Sequence, residues 1–242
     1  MMNEKNECLS IYQDIFPNPL LIEKFILIIY AIIFLVGLVG NIMTIITIKC
    51  NAHLRTPTNF YLLNLAVSDL MMLMCNLPLE MLEIYNRHWP LSVIFCKLRN
   101  ICAEFFTCSS ILTILAFTCE RYFAIVHPIH LHRLSHFRRA RYMIMIIWII
   151  SLGFSLPFGL LYEIGPDVSE KNICKSCVPK RSLEKVLSVI SIISSLCLFY
   201  LPMFIIGAVY LFIAKALRRV SRFEGYSSPI EFSSASHSSK KR

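Results

Sequence analysis

Five apolar runs, each of about twenty residues or more, constrain this chain more than any other feature of its sequence. They cover residues 25–48, 60–84, 94–126, 142–162 and 186–214. A helix of about twenty apolar residues crosses the ~30 Å hydrocarbon core of a bilayer, and the alternating strands of a membrane barrel are not seen. Because the connections are short, the sequence predicts an all-α fold, a polytopic membrane bundle of five transmembrane helices.

Charges outside the runs predict how the chain lies in the membrane. The loops 49–59 and 127–141 and the segment 215–242 are rich in Lys and Arg, whereas residues 1–24 are net acidic. Basic loops of membrane proteins face the cytosol. We therefore expect an extracellular N-terminus (1–24) and a cytoplasmic C-terminal segment (215–242). This topology accounts for the net charge of +9 without a nucleic-acid partner.

Asp69 lies near the middle of the second run, where a carboxylate is costly unless it is functional, paired or protonated. Asn41 of the first run and Ser110 of the third are at comparable depth and could supply oxygens beside it. Such a set suits a small cation better than a transition metal. An interhelical polar clamp without an ion explains the same spacing equally well.

Two further acids, Glu80 and Glu104, are expected in the outer third of neighbouring antiparallel helices. Facing an outer cavity, they would attract a cationic group and pair with an arginine. Alternatively, Glu80 lies at the membrane interface, and Glu104 pairs with Arg99 or Lys97 of its own helix.

The third run ends in Glu120-Arg121-Tyr122, and Arg121 is roughly 25 Å along the helix from Glu104. Adjacent helical residues point about 100° apart, so Arg121 can face the bundle while Glu120 flanks it. The alternative is an ordinary arginine that extends to the membrane surface.

Cys96 begins the third run on the expected outer side, and Cys174 and Cys177 lie in the outer segment between the fourth and fifth runs. A disulfide from Cys96 to one of these two would fix that segment across the mouth of the bundle. No GxSxG, HExxH, Walker or GxGxxG motif occurs. The sequence therefore predicts no enzyme, no cofactor and no transition-metal site.

A set of short motifs, taken in order, resembles the rhodopsin-like G-protein-coupled receptors. The matching residues are Gly40-Asn41, Leu65 to Asp69, Trp89 before Cys96, Glu120-Arg121-Tyr122, Trp148, Cys177, and Pro202 with Tyr210. The spacing of Glu80 after Asp69 and of Glu104 after Cys96 is similar to that in the neuromedin U and pyrokinin receptor group. The stretches RTPTNFYLLNLAVSDL and AFTCERYFAIVHP also look like this group and its ghrelin and motilin relatives.

The resemblance implies a plasma-membrane receptor for a short, amidated neuropeptide whose arginine meets Glu80 and Glu104. It implies a disulfide between Cys96 and Cys177, with Cys174 free or bridged to Cys8. Asn41, Asp69 and Ser110 would form a polar pocket for a sodium ion. Contacts with a heterotrimeric G protein would come from Glu120, Arg121, Tyr122, Pro128, Ile129 and Tyr210, and residues 215–242 would begin the third intracellular loop.

The family has seven spans, whereas this chain has five. We therefore expect a fragment or truncated form of a receptor. The alternative is a non-signalling five-span protein that associates with full-length receptors and modulates them. A transporter or membrane enzyme is disfavoured, because the runs show no internal repeat.

Overall fold

Helices dominate the computed structural model, which describes residues 18–126, 136–166 and 175–226. Five helical spans in these ranges are long and apolar enough to cross a membrane. The first four are α1 (Pro19–Cys50), α2 (Pro57–Asn86), α3 (Val93–Val126) and α4 (His136–Leu161). The fifth consists of α5 (Glu184–Ser194), a π-helical segment (Ser195–Tyr200) and α6 (Leu201–Tyr226). The predicted all-α membrane bundle is confirmed. Its helices begin before the apolar runs, because the residues that precede each run are also helical.

The ends of α2 are defined by local hydrogen bonds. Thr56 precedes the helix, and its Oγ1 accepts a hydrogen bond from the Asn59 N–H at 3.2 Å. Pro57 follows at the first helical position, where a missing N–H costs nothing. At the other end Arg87 adopts a left-handed conformation with φ 60° and closes the helix. Its guanidinium pairs with Glu23 of α1 and so ties the two helices together.

The central helix is α3, which packs against α2, α4, β1 and the fifth span. Small and polar residues line its closest contacts, as is usual where membrane helices approach each other. The hydroxyls of Ser68 and Ser109 lie 3.2 Å apart across the interface of α2 and α3. A Cβ added to Gly159 of α4 would overlap the side chain of Ile101. Glycine at this position therefore permits the close approach of α4 to α3.

A two-stranded hairpin follows α4, although the sequence predicted only a polar connection there. Strand β1 (Tyr162–Pro166) pairs antiparallel with β2 (Lys175–Pro179) and places Ile164 opposite Cys177. Five-residue strands separated by a charged stretch carry too little alternation to be recognised from sequence. The hairpin brings Cys177 back to the N-terminal end of α3. After the predicted topology, we call this end, near Cys96, the outer end of α3 and the opposite end, near Glu120, its inner end.

The π-helical segment of the fifth span lies directly before a proline. Leu201 donates its N–H to the carbonyl of Leu196, five residues earlier. Pro202 has no N–H to offer to Leu198, the carbonyl that an α-helix would pair with it. A wider turn at this point is the usual response of a helix to such a missing donor.

Candidate functional site

The hairpin end of α3 is fixed by a disulfide and a buried tryptophan. Cys96 is bonded to Cys177 with the two Cα atoms 5.6 Å apart, which is the bridge that the resemblance implied. Trp89, only 4% exposed, packs against both cysteines. Its backbone N–H donates to the carbonyl of Lys175 at 2.6 Å. These contacts hold β2 against the loop between α2 and α3.

An ion pair that the sequence analysis missed lies beside the disulfide. Arg99 Nη1 is 2.5 Å from Glu83 Oε2, and both side chains are less than one-fifth exposed. The other carboxylate oxygen, Oε1, accepts the backbone N–H of Cys177 at 3.0 Å. The guanidinium carbon of Arg99 is 4.8 Å from the ring centroid of Trp89, within range of a cation–π contact. The sequence contains one signal for this pair, namely opposite charges near the outer ends of two adjacent apolar runs.

Glu104 lies further along α3 and is half-buried. It has no cationic partner among the described residues, so the alternative in which Glu104 pairs with Arg99 is wrong: Arg99 is paired with Glu83. The negative charge of Glu104 acts on Tyr162, at the start of β1. Burial, followed by the charge of Glu104, raises the pKa of Tyr162, while the charge of Arg99 lowers it.

Glu80 is also half-buried and lies on the side of α2 that faces α1. The hydroxyl of Tyr30 is 3.5 Å from Glu80 Oε1, a long hydrogen bond. No arginine or lysine of the described residues pairs with this carboxylate. Direct contact between Glu80 and Glu104 is likewise not seen, so a ligand that meets both would have to lie between them.

The glutamates of α1, α2 and α3 therefore fall into two groups. Three are paired with arginines, in the pairs Glu23–Arg87, Glu83–Arg99 and Glu120–Arg139. The two without a cation in the described ranges are Glu80 and Glu104. An acid within a membrane span is normally paired or faces a water-filled cavity. These two carboxylates are thus the ones available to an external cation.

In the middle of the bundle, Ser110 donates a hydrogen bond to Asp69 Oδ1 at 2.7 Å. Asn41, expected in the same cluster, instead donates its Nδ2 to the Gly37 carbonyl of its own helix at 2.9 Å. A carboxylate and a hydroxyl are the ligand types that a hard cation accepts. Asp69 and Ser110 fit a sodium ion in donor type and would supply two of its ligands. Binding of sodium here stays a prediction.

A second polar network, not predicted as a cluster, joins α2, α3 and α4. The Trp148 indole N–H donates to Asn64 Oδ1 at 3.0 Å, and Asn64 Nδ2 donates to Thr113 Oγ1 at 2.9 Å. Thr113 in turn donates to the carbonyl of Ser109 at 2.6 Å. The network fixes the register of three helices next to the Asp69 site.

At the inner end of α3, Glu120 pairs with Arg139 of α4 rather than with a group on its own helix. Arg121 is exposed, and its guanidinium carbon lies 5.4 Å from the ring centroid of Phe117. The Tyr122 ring contacts Phe212 of α6 with centroids 6.5 Å apart. Tyr210, on α6, is 52% exposed. The predicted residues Pro128 and Ile129, like Cys8 and Cys174, lie outside the described residues.

The bundle has helices packed around α3, a disulfide from α3 to a hairpin, and polar sites along α3. Together these features indicate a helical membrane receptor. Residues 40–241 match the model of the 7 transmembrane receptor (rhodopsin family). The chain therefore belongs to the rhodopsin family of seven-transmembrane receptors, which are receptors and not enzymes.

Three relatives show which receptors of this family the chain is similar to. The chain is 35% identical over 213 residues to the pyrokinin-1 receptor of Drosophila melanogaster, covering 86% of this chain and 47% of that protein. It is 35% identical over 199 residues to the human neuromedin-U receptor 1, covering 78% and 46%. Similarity to the rabbit (Oryctolagus cuniculus) growth hormone secretagogue receptor type 1 is 31% over 217 residues, covering 88% and 58%. The chain thus spans about half the length of these relatives, and the predicted receptor group is confirmed.

Proposed function

We propose that this chain forms the first five spans of a plasma-membrane receptor for a short, amidated peptide that contains arginine. Glu80 and Glu104 bind the arginine, and Arg121 engages a heterotrimeric G protein. The observation that carries the proposal is the absence of a cationic partner for these two acids in the described ranges, although each of the other three glutamates in α1–α3 has an arginine. Receptors for pyrokinin and neuromedin U among the relatives support a peptide ligand.

The site is suited to a cation because of where its charges lie. Glu104 is about 16 Å along α3 from the start of the helix at Val93, and Glu80 is about 9 Å from the end of α2 at Asn86. An arginine that enters from the hairpin end meets both carboxylates in surroundings of low dielectric constant. Charge-assisted hydrogen bonds to a guanidinium are strong there.

Two features support the orientation that places the hairpin outside the cell. The Cys96–Cys177 disulfide is a bond that persists in oxidising compartments, which favours an extracellular hairpin end. Arg139 and the exposed Arg121 lie at the opposite end of the bundle, where basic residues face the cytosol. Ligand and G protein would then act at opposite ends of α3 by shifting the population of receptor states.

The proposal predicts a charge-dependent loss of affinity in the variant Glu104→Gln. The protein to test is this chain continued through the sixth and seventh helices of the Drosophila pyrokinin-1 receptor. Two fluorescent peptide amides serve as ligands: Ala-Phe-Arg-Leu and the same sequence with neutral citrulline in place of arginine. Affinity for the arginine peptide should fall roughly 30-fold or more, because one partner of a buried charge pair is lost. Affinity for the citrulline peptide should change about threefold or less.

Glu184→Gln is the matched control, because Glu184 is an exposed acid at the start of α5. Its affinity for both peptides should equal that of the parent. Equal losses for both peptides in Glu104→Gln would contradict the ion pair. The alternative role, association with full-length receptors, stays a prediction that co-expression tests; unchanged surface level and signalling of the intact receptor would reject it.

A further inference from the structure

Arg99 introduces a positive charge close to the two acids of the proposed peptide site. A guanidinium stays charged even when buried, and Arg99 lies on the same helix as Glu104, five residues earlier. An arginine without a partner at this position would offer Glu104 an internal cation. It would then compete with a cationic ligand for the site.

The structure holds Arg99 in a different place. Its guanidinium is bound by Glu83 Oε2 at 2.5 Å and lies over the ring of Trp89 at 4.8 Å. Glu83 is itself fixed, because its Oε1 accepts the Cys177 N–H at 3.0 Å and Cys177 is covalently bonded to α3. Arg99 is thus enclosed by a carboxylate and an aromatic face, each of them anchored by the disulfide cluster.

The charges of this region leave an excess of two acids. The charges of Glu83 and Arg99 cancel, so Glu80 and Glu104 remain as the half-buried acids without a cationic partner in the outer half of α2 and α3 among the described residues. Lys97 is nearer the outer end of α3, where a long side chain reaches water. The charges of Arg99 and Glu104 act on the same group, the hydroxyl of Tyr162. Arg99 is therefore close enough to weaken the negative field if its partner is removed.

We propose that Glu83 is a specificity-determining residue that neutralises Arg99 and holds it on Trp89, so that Glu80 and Glu104 stay free for a cationic ligand. The inference rests on the proposed peptide site. Glu83 acts through Arg99 and needs no contact with the ligand. Removal of Glu83 alone should make the surroundings of Glu80 and Glu104 less negative, whereas removal of both charges should restore the original balance.

The electrostatic field around Glu104 can be measured on the chain itself, in lipid nanodiscs and without a peptide. A cysteine is introduced next to Glu104 by Ala103→Cys, in a parent in which Cys75 and Cys102 are replaced by alanine. Two methanethiosulfonate reagents of similar size, one with a trimethylammonium and one with a sulfonate group, react with this thiol. Mass spectrometry of the fragment containing residue 103 gives both rates, and their ratio reports the sign and strength of the local field.

We expect Glu83→Gln to lower the cation-to-anion rate ratio about tenfold. The double variant Glu83→Gln/Arg99→Gln should return to within about twofold of the parent, although it lacks the ion pair. A purely structural role predicts the opposite, since the double variant would be at least as impaired as the single one. Glu23→Gln is the matched control. It leaves Arg87, another mostly buried arginine, without its partner at the end of α2 rather than on α3, and should leave the ratio unchanged.

An unchanged ratio in Glu83→Gln, or no recovery in the double variant, would overturn the inference. A change of equal size in Glu23→Gln would do the same, because the effect would then not be specific to Arg99. The completed receptor provides the second measurement. There Glu83→Gln should reduce the preference for the arginine peptide over its citrulline counterpart about tenfold, and the double variant should recover it. If the parent shows no such preference, the proposed peptide site fails, whereas the reagent rates still decide the role of Glu83.

Discussion

The two ends of α3 are held by contacts of different strength. At the outer end, the Cys96–Cys177 bond, the buried Trp89 and the enclosed Glu83–Arg99 pair join α3 to α2 and to the hairpin. At the inner end, Glu120 meets Arg139, whose side chain is 32% exposed, and Arg121 faces outward. Rearrangement of the inner end therefore breaks no disulfide among the described residues. A helix held in this way can keep one end fixed while its other end changes partners.

The largest effect on stability is expected from loss of the disulfide at the outer end of α3. Cys177→Ser removes a bond that closes a loop across 81 residues, and such a loss typically costs about 2–5 kcal/mol. The apparent melting temperature in detergent should fall by roughly 10 °C. Cys197→Ser, which changes an exposed free cysteine, serves as the control and should melt like the parent. Similar melting of the two variants would remove the contrast between the ends of α3.

An intermediate effect on stability is expected from a substitution where α4 closely approaches the outer half of α3. Gly159→Ala places a methyl group into the side chain of Ile101, and overpacking of this kind costs about 1–3 kcal/mol. Gly153→Ala adds the same methyl group on the same helix where nothing lies within 4 Å. Thermal unfolding should separate the two variants by several degrees. Equal stability would show that this part of the outer half is more loosely packed than the structure indicates.

The smallest effect on stability is expected at the inner end. Glu120→Gln removes the pair with Arg139, and a partly solvated ion pair contributes less than about 1 kcal/mol. A double-mutant cycle with Arg139→Gln in the same melting assay isolates this coupling from other effects of each substitution. A coupling as large as the loss in Cys177→Ser would mean that the inner end is held as firmly as the outer end.

Much of this architecture was predictable from the sequence, because a membrane restricts the choice of fold so strongly. Apolar runs locate the helices, and the order of short motifs identifies the receptor family. The bridge to Cys177 rather than Cys174 came from that family resemblance, since spacing alone left both partners open. The sodium site at Asp69 and the peptide contacts of Glu80 and Glu104 stay predictions.

The partners of charged residues were harder to predict. Glu83 is three residues from Glu80, yet the two face different neighbours, Arg99 with the hairpin and Tyr30 of α1. Glu120 precedes Arg121 in the chain but pairs with Arg139, on the adjacent helix. Such pairings depend on how helices rotate against each other, which a single sequence does not encode locally.

The π-helical segment Ser195–Tyr200 has a consequence for comparison of this span with a receptor whose fifth span is α-helical throughout. A π turn accommodates one residue more than an α turn, so the fifth span contains an insertion that does not lengthen it proportionately. An alignment without a gap would match residues on one side of this segment correctly and shift those on the other side by one. One position along a helix is a rotation of about 100°. Leu187, which is buried against Phe158 and Leu161 of α4, would then be aligned with a position rotated away from the face that packs on α4.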